Sequence, residues 1–533
     1  MYYEFLDGRD AVFLALEGTN CPMTVGAVQH FAVETPAGEI ATIDIERIQS
    51  RIAGRLHLLP RFRQNVYRIP IAQVPIWVDD PGFRVERHVR RESVTAETIR
   101  GRIDDLIATP FTGQRPLWEI IFLDGYSPDE VTAVLKAHHA LIDGVAGVST
   151  LGVLYDQDPD GPTDPAPPPW VPRESPTDTE LLLDEIERRM AQPARLVRQI
   201  LGGVVGNRSR QEKREDMIAR ITTTVTTEGQ ATHLRAVHTL QDGRTTALKA
   251  VRALQGYGPA SRVQRVSARS VAVIRAIRDT ATAASPLMKQ SHHTSLNRRV
   301  GPDRAFYSSS APLDEFRAVT KALRPIRRVT FNDVVLTVAS EALRRYLLET
   351  RPRDVTDDLI AMVPVSVRTS QDDPHSGTRA SEVIVNLHTT ERDLIDRILM
   401  ISSEMDVGKS GPHQFVTNVV KYATEYTHPA ISRAASQAAW LRQPYHLVIS
   451  NIRGSGTPLY LAGYLQKDHY PIVPIFNGYA VVIAAFTYMD SVGWGIVSDP
   501  AALPNAARLV YHLGGSLNDL VKRAADYGGR SSN

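Results

Sequence analysis

The chain predicts an α/β protein of two lobes, and three observations carry that prediction. Helix-like and strand-like stretches alternate on both sides of a central break. The break, residues 157–177, reads QDPDGPTDPAPPPWVPRESPT, and its eight prolines cannot continue a helix or a central strand. Composition then shifts to a stretch dominated by Arg, Ala and Val. At about 150 residues per domain the 533-residue chain holds three to four units, and two large ones fit the same length.

Apolar residues make up 43% and charged residues 23%, a globular balance that excludes a wholly disordered chain or a coiled-coil rod. The net charge of +2 advertises no nucleic-acid partner. It hides an asymmetry: residues 188–299 hold 21 Lys/Arg against six Asp/Glu. The single cysteine, Cys21, excludes an internal disulfide and a cysteine-rich zinc cluster, and fits a reducing compartment. No stretch approaches the ~18–20 apolar residues of a membrane-spanning helix, the longest clear run being Ala480–Phe486. The first residues, MYYEFLDGRD, lack the basic-then-apolar order of a secretory signal. The expectation is a cytoplasmic protein, free or held on a membrane from one side.

In chain order, Phe31–Val33 and Val74–Val78 carry short strand-like runs, and Ile45, Ile48, Ile52 and Leu56 have helical spacing. VTAVLKA (Val131–Ala137) is a β-branched strand running directly into HHALIDG. Phe331–Tyr346 predicts a helix capped by Asn332 or Thr330. Leu359–Val367, Glu382–His388, Leu447–Ile452, Ala480–Tyr488 and Val492–Val497 predict strands.

The sharpest local feature is His138-His139-Ala140-Leu141-Ile142-Asp143-Gly144. A histidine at a strand end can be held in one tautomer by backbone hydrogen bonds and accept a proton near neutral pH. Asp143, four residues beyond His139, can face inward and brace the loop through an arginine, and Gly144 permits a tight backbone path. A bare His-His pair is ordinarily structural. His292-His293, followed by TSLNRR, is such a pair, and Asp143-Gly144 sets the first apart. Neither a nearby cysteine nor HExxH spacing supports a metal site.

HHxxxDG resembles the active-site motif of the CoA-dependent acyltransferase superfamily, and other segments narrow the likeness. Pro116-Leu117-Trp118, within RPLWE, is similar to the PLW motif of the bacterial wax ester synthase/diacylglycerol acyltransferases. Asn332-Asp333-Val334-Val335-Leu336 is similar to their NDVVLA motif, with Thr337 in place of Ala. Val363–Arg368 resembles VPVSxR, and Ser450–Gly454 resembles SNVPG with Arg453 where Pro is usual. Leu59–Gln64 and Trp77–Asp80 also sit where that family has similar segments. The motifs follow the family's order over roughly 5–155 and 294–515; the middle, about 178–290, matches poorly and looks longer than usual.

The resemblance implies an α/β fold of two chloramphenicol-acetyltransferase-like lobes with mixed sheets. Residues 1–156 would form the first lobe, 157–177 a proline-rich linker, 178–293 a basic, mainly helical insert and 294–533 the second lobe. It implies an O-acyltransferase in which His139 takes the proton from an acceptor hydroxyl whose oxygen attacks the acyl-CoA thioester. His138 either orients His139 or is structural, and Asp143 braces the loop through Arg61, Arg63 or Arg368. Asn332 is an oxyanion donor or merely a helix start, Gly144 lies at the site, and Asp333 favours the positive end of its helix. Pro116, Leu117 and Trp118 belong to packing, with Trp118 a weaker candidate for lining an acyl tunnel. No cofactor is implied, because acyl-CoA enters as substrate. The acceptor would be diacylglycerol or a long-chain alcohol, lipids of a membrane or droplet. That suits peripheral association with the inner membrane or lipid droplets. The basic middle and LVRQILGGVVG (Leu196–Gly206) read either as an interfacial segment of that kind or as a solvated helical face or lid packed on the lobes. Two rival expectations are a non-catalytic lipid-binding or lipid-droplet protein of the same fold, and a transferase for another hydroxylated acceptor.

Overall fold

The computed structural model describes residues 3–111, 115–142, 144–161, 169–185, 188, 291–366, 380–410 and 444–531. Runs rich in Val, Ile and Ala pleat into a first six-stranded sheet. Its centre pairs β2 (Thr24–Ala32) with β7 (Glu130–His138), β7 with β6 (Trp118–Asp124), and β6 with the edge strand β5 (Val89–Ser93). The β5–β6 pairing is parallel and the others antiparallel, so the sheet is mixed. The expected strand Val131–Ala137 is thus the middle of β7, with Val131, Ala133 and Val134 wholly buried.

A second six-stranded sheet runs β10 (Ala380–Asn386), β9 (Ile360–Ser366), β11 (Leu447–Arg453), β14 (Val481–Tyr488), β15 (Ser491–Ser498) and β8 (Ala305–Pro312). Here β11 is parallel to both β9 and β14, and the remaining pairs are antiparallel. Against it pack α5 (Leu313–Leu323), α6 (Phe331–Thr350), α7 (Leu394–Ser410) and α8 (Ala507–Ser531). The two-lobed, mixed-sheet α/β architecture expected from the sequence is the one observed. Thr330, rather than Asn332, caps α6: its hydroxyl accepts the Asp333 N–H at 3.3 Å, and the Asp333 carboxylate accepts the Thr330 N–H at 2.8 Å.

One stretch of the second half completes the first sheet. After β11 the chain forms β12 (Tyr460–Leu461) and β13 (Tyr464–Ile472), and β13 adds antiparallel to the free side of β2. The seam is buried and polar. Tyr155 donates its hydroxyl to Oε1 of Gln29 at 2.6 Å, and Nε2 of Gln29 donates to Nδ1 of His469 at 2.9 Å. The His469 ring stacks on Phe486 with centroids 3.7 Å apart. Between lobes, the Phe306 N–H donates to Asp104 at 2.7 Å, and one continuous apolar core draws Met23, Val28 and Val134 together with Val335, Ile449 and Val482. Burial at about 25 cal/mol per Å² of apolar surface makes this shared core the main bond between the lobes.

A smaller sheet of β1 (Tyr3–Phe5), β4 (Pro75–Asp79) and β3 (Gln64–Arg68) flanks the first lobe, with Leu181 of a short helical stretch packed on it. The amphipathic α2 (Ile45–Arg55) buries Ile48 and Ile52 against the first sheet, as its spacing predicts. Of the basic helical insert expected over 178–293, residues 178–185 are helical; most of the remainder, with Leu196–Gly206, lies outside the described residues. Among the described residues no helix is long and apolar enough to cross a membrane.

Candidate active site

The HHxxxDG segment begins at the last residue of β7, His138, which still pairs with Thr24 of β2. The His138 N–H donates to Leu117 O at 2.9 Å, and the His139 N–H donates to Met23 O at 2.8 Å. The chain then turns, the Leu141 N–H closing back on His138 O at 2.8 Å. Leu117 of the PLW motif therefore anchors the first histidine, and Met23, the residue just before β2, anchors the second. The turn leads into α4 (Gly144–Leu154), of which Gly144 is the first residue.

The two histidines are placed differently. His138 has no exposed surface. Its Nδ1 accepts the Ala140 N–H at 2.9 Å, so that nitrogen carries the lone pair and the proton sits on Nε2. Nε2 lies 3.1 Å from the Glu17 carboxylate. His139 is half-buried, and its ring lies on Phe13 of α1 (Gly8–Leu16) at 3.8 Å between centroids. His138 is thus committed to holding the turn, while His139 keeps partial solvent access. Sequence reasoning missed both Phe13 and Glu17. They belong to a short apolar helix and its exit, where no motif signals chemistry.

Trp118 is packed rather than open. It is 2% exposed, donates Nε1–H to Phe62 O at 2.7 Å, and stacks on His88 at 4.7 Å. Pro116 O accepts the Trp118 N–H at 2.9 Å. Of the arginines considered for Asp143, Arg61 pairs with Glu4 and lies over Trp77 at 5.0 Å, and Arg63 lies over Trp170 at 4.8 Å. Burial lowers the pKa of both guanidinium groups below its ordinary value. Asp143 and Arg368 lie outside the described residues.

In the second lobe, Asn332, the second residue of α6, is half-buried, and Asp333 is 2% exposed and engaged in the cap. Thr337, the departure from Ala, is wholly buried and satisfies its hydroxyl on Asp333 O at 2.8 Å. Arg453, the departure from Pro, is exposed. Gly454 beside it admits no side chain, because a Cβ there would lie 2.2 Å from the Phe486 ring. Oδ1 of Asn451 is buried with no hydrogen-bond partner among the described residues. α4, which follows the HHxxxDG turn, meets β11, which carries Ser450–Arg453, so elements about 300 residues apart in the chain are in contact. Beside the motif loop lies a cavity of about 460 Å³ walled by Leu141, Ile142, Ala146, Leu58 and Phe62, with Arg61 among its polar groups.

A buried, tautomer-fixed histidine next to a ring-stacked, partly accessible one makes the end of β7 the candidate active site. The fold is shared with a wax ester synthase/diacylglycerol acyltransferase from Marinobacter aquaeolei (TM-score 0.60, 22% identity, 98% of this chain and 99% of that one). It is also shared with a trichothecene 15-O-acetyltransferase from Fusarium sporotrichioides (TM-score 0.55, 11% identity, 98% and 96%). Residues 6–255 match the wax ester synthase/diacylglycerol acyltransferase catalytic domain and residues 376–521 its C-terminal domain. The chain belongs to that family. Its relatives include a putative diacylglycerol O-acyltransferase of Mycobacterium tuberculosis (28% identity, 96% of this chain and 98% of the relative). Another is the O-acyltransferase WSD of Acinetobacter baylyi (26% identity, 95% and 94%).

Proposed function

We propose that this protein transfers a long-chain acyl group from acyl-CoA to the hydroxyl of diacylglycerol, forming triacylglycerol, and makes wax esters when the acceptor is a fatty alcohol. The observation that carries the reading is the placement of His139: a half-buried imidazole fixed by backbone at the end of β7 and by Phe13 beneath it. In this reading His139 removes the hydroxyl proton as the acceptor oxygen attacks the thioester carbonyl. The tetrahedral oxyanion collapses, the C–S bond breaks, and the proton leaves with the CoA thiolate by way of His139. Asn332, at the start of α6, is the proposed oxyanion donor. Asp143 braces the loop from its far end.

The test is product formation from labelled palmitoyl-CoA and diacylglycerol, with hexadecanol as a parallel acceptor. General-base catalysis contributes about 10²–10⁴ in rate, so His139→Ala loses that much while remaining folded. Equal rates in both proteins would remove His139 from the mechanism. Both acceptors reside in lipid, and we assign the protein to a membrane or droplet surface from one side. Salt-sensitive liposome binding that disappears on deleting 188–290 is the expected result; binding unchanged by the deletion would refute a role for the basic segment.

A further inference from the structure

Beneath the turn, the buried Nε2 of His138 lies 3.1 Å from Oε2 of Glu17, but their alignment falls short of a hydrogen bond. Oε1 of Glu17 is also buried and without a hydrogen-bond partner among the described residues. A buried polar group left unmatched is costly, so such a pair calls for a reason. On another side, Phe111 meets the His138 ring edge-on at 6.4 Å. Lys136, two residues back on the same face of β7, is 4% exposed and donates to Thr109 O at 3.1 Å.

His138 serves the turn at two points. Its carbonyl accepts the Leu141 N–H and its Nδ1 accepts the Ala140 N–H, so the residue brackets the backbone of His139. The second bond exists only while Nδ1 is unprotonated and the ring keeps its orientation. We propose that Glu17 is a positioning residue for acyl transfer: its carboxylate holds the Nε2–H of His138, fixes that ring and tautomer, and through the Ala140 N–H fixes the His139 base. Glu17 touches neither substrate nor base. The contact tightens to a hydrogen bond in the ternary complex, as catalytic contacts in unliganded sites commonly do. The assignment rests on the acyl-transfer reading above.

The experiment compares Glu17→Ala and Glu17→Gln with the unsubstituted protein by steady-state kinetics and by imidazole ¹⁵N spectra of histidine-labelled protein, His138 being assigned by its loss in His138→Asn. Glu17→Ala is expected to lower kcat about tenfold or more, with KM for acyl-CoA within about twofold, because misplacing a catalytic group acts on the transition state. A signal of the Nδ1–H tautomer of His138 appears in the same variant. Glu17→Gln keeps an oxygen for Nε2–H and is expected to retain the tautomer and kcat within about threefold. If Glu17→Ala does not fold, Glu17→Asp, one methylene short, replaces it with the same expectation. An unchanged kcat, or a lost kcat with an unchanged His138 spectrum, overturns the proposal, as does a folded Glu17→Gln as impaired as Glu17→Ala. If the unsubstituted protein transfers no acyl group, the functional reading fails and the proposal with it, whereas a changed spectrum would still locate Glu17 as the holder of the His138 tautomer.

Discussion

The imidazole of His139 lies face to face with the phenyl ring of Phe13, centroids 3.8 Å apart and planes 11° from parallel. The stack removes rotational freedom from the one ring that the proposed chemistry needs in a single orientation. Phe13→Ala is therefore expected to lower kcat about ten- to a hundredfold, and Phe13→Tyr to leave most of it, since only the second keeps an aromatic floor. Steady-state kinetics with palmitoyl-CoA and diacylglycerol measure both; equal kcat in the alanine variant would show that backbone alone orients the base.

Trp118 gives a stability prediction. Trp118→Phe preserves most of the ring but leaves Phe62 O without its indole donor. The expected cost is about 1–2 kcal/mol, read as a lower urea midpoint. Because the indole is buried against His88, KM for acyl-CoA should stay within about twofold. A large rise in KM with unaltered stability would place the indole in the substrate path instead.

Acid sensitivity follows from two imidazoles. Burial pushes the pKa of His469 down to about 3 and that of His446 to about 4, from an ordinary value of 6.5. Below that ordinary value the unfolded chain binds protons that the folded chain refuses. Stability is then fully present above about pH 6.5 and falls as pH drops, levelling off only below the folded values. Each histidine contributes up to about 1.4 kcal/mol per pH unit in that window. Urea midpoints from pH 7 to pH 5 check the slope, and His469→Gln should make it shallower. A slope unaltered by that substitution would mean that His469 is protonated in the folded state.

How far the sequence alone reaches is visible at particular residues. The strand into His138, the amphipathic α2 and the α6 helix were legible because their periodicity is a local property of consecutive residues. The HHxxxDG, PLW and NDVV segments were legible as motifs, and the likeness they carry named the family. Their division of labour was not. That Leu117 anchors His138, that Thr330 rather than Asn332 caps α6, and that Trp118 is walled in by Phe62 and His88 are facts of contact between segments far apart in the chain.

The sequence by itself determined the alternation of elements and which histidine pair has an Asp-Gly behind it. Only the tertiary structure decided that β13 crosses to close the first sheet, that Phe13 lies under His139, and that Glu17 faces His138. The physical reason is one of range. Backbone periodicity and turn chemistry act over a few residues and leave a mark in the order of the amino acids. Ring orientation, tautomer and burial are set by whichever distant side chain the packing brings alongside.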